Sequence, residues 1–122
     1  MEYYAAHTMM AFKRVDGIGP LSVLENIYLV RAANPEKAIE RAKQLSELET
    51  QANDGVEING VPASCVYSGV RKLITICNED PPGNETPPDD GSEISYISYE
   101  VGSLEEVEML ASGHSCDIHL ID

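Results

Sequence analysis

Asn26-Ile27-Tyr28-Leu29-Val30-Arg31-Ala32-Ala33-Asn34-Pro35-Glu36-Lys37-Ala38-Ile39-Glu40-Arg41-Ala42 contains a change of period that decides the fold. Up to Ala33 the residues read as a strand, Leu21 to Ala33. Its centre, Ile27 to Val30, is apolar on both faces, which predicts an interior strand. Asn34-Pro35 then opens a helix. The Asn side chain can accept from amides of the first turn, and Pro fits the first helical position. Ala38, Ile39, Ala42, Leu45, Leu48 and Ala52 recur at helical spacing and give one apolar stripe. Glu36, Lys37, Glu40, Arg41, Lys43 and Glu47 lie outside it. Asn53-Asp54-Gly55 is a fitting stop.

Ahead of this stretch, Tyr3 to Arg14 alternates as a strand, with Tyr4, Ala6, Met10 and Phe12 on one face and Tyr3, His7 and Met9 on the other. Asp16-Gly17-Ile18-Gly19-Pro20 is a turn, so the first two strands should form a hairpin. Behind the helix, Val56-Glu57-Ile58 meets Asn59-Gly60, the favoured pair for a tight hairpin turn. Ala63 to Cys77 reads as a third long strand. Val66, Val70, Ile74 and Ile76 are expected on one face, and Tyr67, Leu73 and Cys77 on the other. Gly69 signals a bulge or a close backbone approach.

Residues 78–91 hold four prolines, two glycines and five acids, and read as a solvated acidic loop. Ser92 to Val101 is expected as the fourth strand. Ser103-Leu104-Glu105-Glu106 is a capping box that starts a short helix with Leu104, Val107, Leu110 and Ala111 as its stripe. Gly113 should stop it. Ile118 and Leu120 suit a short edge strand or a docked tail. The 122 residues therefore predict one domain, 1–122, of α+β class. Its antiparallel sheet has four to five strands in β-β-α-β-β-α order, with one long helix and one short helix. The acidic Pro-rich loop is 78–91, and the C-terminal helix and tail are 103–122.

Three stretches resemble a family of small bacterial proteins known as domain of unknown function number 4288. The first is Tyr3-Tyr4-Ala5-Ala6. The second is Leu24-Glu25-Asn26-Ile27-Tyr28-Leu29-Val30-Arg31-Ala32 with Glu36-Lys37-Ala38-Ile39-Glu40-Arg41-Ala42. The third is Val66-Tyr67-Ser68-Gly69-Val70-Arg71-Lys72-Leu73-Ile74-Thr75-Ile76 with Asp90-Gly91-Ser92-Glu93-Ile94. The resemblance covers most of residues 3–99 and implies a fold class. It brings no activity and no catalytic residue. The chain beyond about residue 102 looks like an addition to that pattern.

Charge is the strongest functional signal. The net charge is −13. Residues 1–72 hold nine acidic and eight basic side chains, whereas residues 73–122 hold twelve acidic side chains and no Lys or Arg. Phosphate contact needs cations, so nucleic acid is an unfit partner, and so is an anionic membrane. A basic protein partner is the complementary choice. The residues expected to meet it are Glu79, Asp80, Glu85, Asp89, Asp90, Glu105, Glu106 and Glu108. No apolar run reaches the roughly 20 residues that span a bilayer. Met1-Glu2-Tyr3-Tyr4 lacks the pattern of a secretory leader, which makes cytoplasm the expected location.

Chemistry-bearing motifs are weak. Cys65, Cys77 and Cys116 fit no disulfide or zinc spacing and read as reduced thiols in or near a core. Cys116 lies among acids, which raise a thiol pKa and oppose nucleophilic use. His114, Cys116, Asp117 and His119 are candidate metal ligands whose spacing matches no common zinc pattern. Glu105, Glu106 and Glu108 suit the positive end of a helix. Gly17-Ile18-Gly19-Pro20 joins strands and does not lead into a helix, so it is no phosphate loop. An apolar pocket with His7, Tyr28 and Tyr67 is what a small-molecule site would require.

The expectation is thus a non-enzymatic acidic binding protein, without catalytic residues, cofactor or metal. Its most concrete form is an immunity or inhibitor protein that covers a basic, nuclease-type bacterial toxin. The alternative is a homo-oligomeric structural or adaptor domain. A small-molecule binder or enzyme is the third choice.

Overall fold

Alternation along Glu2–Arg14 (β1) and Ser22–Ala32 (β2) yields an antiparallel hairpin in register from Glu2 opposite Ala32 to Phe12 opposite Ser22. A computed structural model describes residues 1–52, 55–79, 82–83 and 86–121, with the backbone alone for residues 67, 68, 78, 79, 82 and 83. The helix is Pro35–Ala52 (α1). Glu57–Ile58 (β3) turns through Asn59 and Gly60, both at positive φ, into Val61–Ile76 (β4). That pair of left-handed residues is what a two-residue hairpin turn requires. The sheet order is β2-β1-β4-β3, all antiparallel. The α+β class is therefore as expected, but β1 is interior and β2 is an edge. Ile27 and Leu29 are accordingly 48 % and 59 % exposed rather than buried.

One face of the sheet carries α1. Asn34 caps the helix, its side-chain oxygen accepting from the Lys37 amide at 2.9 Å. Tyr4, Ala6, Val30, Ala32, Ala38 and Ala42 form the core, flanked by Tyr28, Leu45, Val70 and Leu73. The buried stripe of α1 is Ala38, Ala42 and Ser46, one residue per turn at i, i+4, i+8. Small side chains let the helix lie close to the sheet, and this tilts Ile39, Leu48 and Ala52 outward, against expectation.

The β1–β4 register shifts twice, between His7 and Thr8 and between Met9 and Met10. Each shift places an extra β4 residue in the ladder. His7 faces Lys72 while Thr8 faces Val70, so Arg71 is the added residue. Val70 thereby joins Leu73 on the helix side, away from the face it was expected to share with Ile74 and Ile76. Gly69, at φ +151, sits between the two shifts, where a side chain would be strained.

The expected fourth strand does not form over its length. Only Ser98–Glu100 (β7) is strand, and its partner is His119–Ile121 near the C-terminus, not the main sheet. Within the acidic loop, Asn78–Glu79 (β5) and Pro82–Gly83 (β6) make a two-residue antiparallel pairing that sequence reading missed. We number the last strand, His119–Ile121, β8. The short helix is Leu104–Ala111 (α2). It starts at Ser103, whose hydroxyl oxygen accepts from the Glu106 amide at 3.3 Å and donates to the Glu106 carboxylate rather than leaving it to the backbone. It ends in paired bonds, Gly113 to Leu110 and His114 to Met109, with Gly113 left-handed.

Candidate functional site

The residues expected to meet a partner fall in two places. Asp89 and Asp90 are exposed in the turn before Ser92, where the Ser92 amide donates to the Asp89 carbonyl at 3.0 Å. Glu105 and Glu108 are exposed on α2, and Glu106 is half-buried against its cap. Asp80 and Glu85 lie outside the described residues, as does the Glu79 side chain. The helix that carries the acids buries none of its own residues. Leu104 is 73 % exposed, and Val107 and Met109 are exposed as well. Of the apolar stripe foreseen on α2, Leu104, Val107 and Ala111 are exposed and Leu110 is half-buried. Ile94, Tyr96, Ile97 and Tyr99 are exposed too. The 92–111 stretch thus combines uncovered apolar side chains with an acidic border, the make-up of an interface core and rim.

The second face of the sheet is what places this stretch. Residues 92–97 cross it instead of pairing with it. Three groups hold them there. His7, wholly buried on β1, meets Glu25 Oε2 through Nδ1 at 2.5 Å and Ser95 Oγ through Nε2. Lys72 donates its ammonium to the Tyr96 carbonyl and lies 4.7 Å from the centre of the Tyr96 ring. Arg71 Nε approaches Glu25 Oε1 at 3.7 Å. The β4 irregularity at Arg71 is what allows two successive cations to serve one face. The pocket expected around His7 and Tyr28 does not form. The two alternate across the sheet, Tyr28 lying against the core beneath α1, so they share no pocket. The Tyr67 side chain lies outside the described residues.

The remaining candidates resolve more simply. Cys65 is half-buried and burial pushes its thiol up, with a smaller opposing hydrogen bond from Thr50. Cys77 lies just past β4 and is exposed, not in the core. Burial first, then the Glu106 and Asp117 carboxylates, raise the Cys116 thiol, the direction its acidic surroundings predict. Among the described residues no three His, Cys, Asp or Glu side chains gather around a common point. Also among them, no helix is long and apolar enough to cross a membrane.

Compared with family models, curated proteins and solved structures, the chain finds no match.

Proposed function

We propose that this chain is a binding protein whose acidic C-terminal stretch, 89–108, docks on a basic protein partner. The observation that carries the reading is the coincidence of two features. The part of the chain without Lys or Arg is also the part whose helix leaves Leu104 and Val107 exposed. Leu104 and Val107 supply apolar area worth about 25 cal/mol per Å² once covered. Asp89, Asp90, Glu105 and Glu108 supply steering, which raises the association rate more than the final affinity. A nuclease is the partner class with the matching need, because its phosphate-binding surface must be cationic. An inhibitor of such an enzyme is the concrete form of this proposal.

The test is capture from the native host at low and then high salt, read by mass spectrometry. A single basic protein retained at low salt, weakened at high salt and lost on reversing Asp89, Asp90, Glu105 and Glu106 to Lys supports the reading. Recovery of the chain's own copies alone sinks it. That outcome favours self-association through the edge strand β2, where Val23, Ile27 and Leu29 are exposed along one face.

A further inference from the structure

We propose that Ser95, His7 and Glu25 form a nucleophile, base and positioning group for acyl transfer, acting on a carboxylic ester with a small apolar acyl group. This goes beyond partner binding and stands or falls separately from it.

An ionised Glu25 carboxylate can only accept, so the His7 nitrogen it meets, Nδ1, carries the hydrogen. In the neutral ring Nε2 then has its lone pair free. Nε2 meets the Ser95 hydroxyl, which donates to it. A hydroxyl that donates to an imidazole held from behind by a carboxylate is the arrangement that activates a serine. Arg71 Nε stands 3.7 Å from the other carboxylate oxygen of Glu25.

The surroundings match the chemistry. His7 is wholly buried, so its ring is fixed, while Ser95 stands at the solvent boundary. Ser95 lines an open groove of about 320 Å³ with Ile27, Tyr96, Ile97 and Tyr99. Those walls suit a short alkyl or aryl group. Residues 95–97 lie outside any strand, and among the described residues the Tyr96 and Ile97 amides donate to no backbone carbonyl. Amides just after a nucleophile are the usual donors to a developing oxyanion.

In the step proposed, Ser95 Oγ bonds to the acyl carbon while its proton passes to His7 Nε2. The ester C–O bond breaks, and His7 returns that proton to the departing alkoxide. Water then attacks the acyl-serine, giving its proton to His7. The carboxylic acid leaves as Ser95 recovers its hydrogen. Ser95 and His7 are the catalytic residues, and Glu25 is a positioning residue.

A fluorophosphonate reporter and para-nitrophenyl butyrate test this on the intact chain. The expected result is one label per chain at Ser95, located by peptide mass spectrometry, and turnover that Ser95→Ala abolishes. Lys72 still holds the Tyr96 carbonyl when the Ser95 hydroxyl is removed, and a wild-type-like circular dichroism spectrum of Ser95→Ala shows that its loss of turnover is chemical. Glu25→Gln should lower kcat by about 100-fold or more with KM kept, and Glu25→Asp should restore part of it. Folded wild-type protein that leaves Ser95 unlabelled overturns the proposal. So does ester turnover that is the same in Ser95→Ala as in the wild type.

Discussion

Single residues set several balances in this molecule. Ser46 on α1 and Thr8 on β1 are wholly buried, and their hydroxyls have no hydrogen-bond partner among the described residues. A buried hydroxyl without a partner costs about 1–3 kcal/mol. Ser46→Ala should therefore raise stability by about 1 kcal/mol, helped by the better helix propensity of Ala. Thr8→Val should act in the same direction. Urea unfolding checks both, and a fall in midpoint for either would show a missing partner. Tyr4 offers a pH test. Its hydroxyl donates to Glu2, and that bond, with burial and the Glu2 charge, pushes it up to about 12. The folded state thus holds this proton more tightly than the unfolded chain does. The resulting stability is fully present below about pH 10 and is lost as pH rises towards 12. Ultraviolet titration should find Tyr4 ionising late, alongside Tyr28, which burial also raises, and Glu2→Gln should bring Tyr4 alone earlier.

At the scale of elements, α1 depends on closeness. Ala38 and Ala42 are wholly buried against a sheet whose own contacts are Tyr4, Ala6 and Val30. Ala42→Leu should cost about 1–3 kcal/mol by overpacking, measured as a lower urea midpoint. Ile39→Ala, on the same helix but turned outward, should cost far less. The cap matters as well: Asn34→Ala should cost about 1 kcal/mol. The helix α2 has the opposite character. Since Leu104 and Val107 are exposed on it, Leu104→Ser and Val107→Ser should leave the melting temperature nearly unchanged while weakening partner capture. A large loss of stability in those variants would mean that the stripe is covered within the fold. Much of this level was legible beforehand. Asn34, Asn59-Gly60, Ser103 and Gly113 each act through neighbours within a few residues, and each took its foreseen role. Residues 92–97 were misread because alternation in sequence does not say whether a neighbour offers an edge or a face.

For the whole molecule the decisive quantity is charge. Twelve acids without a Lys or Arg after Lys72 give the C-terminal stretch charge of one sign. Screening acts over about 10 Å at 0.1 M salt, so association steered by it should slow steeply with added salt. Stopped-flow mixing with the captured partner is the direct measurement. Reversal of Asp89 and Asp90 should lower the association rate and flatten its salt dependence, with a smaller effect on dissociation. An unchanged salt slope would assign the acids to solubility alone.

The sequence by itself determined the class of the fold, the hairpins, the helix caps at Asn34, Ser103 and Gly113 and the segregation of charge. All of these arise from local backbone preferences or from simple counting. Tertiary structure decided the rest, because it turns on pairing between distant residues. It chose β1 rather than β2 as the interior strand, since β4 could pair with only one of them. Two register shifts moved Val70 to the helix side and set Arg71 and Lys72 to serve the other face. It also joined His7 to Glu25, 18 residues away, and to Ser95, 88 residues away. No spacing rule connects those three positions; they meet only because a bulged sheet gives a crossing segment somewhere polar to rest.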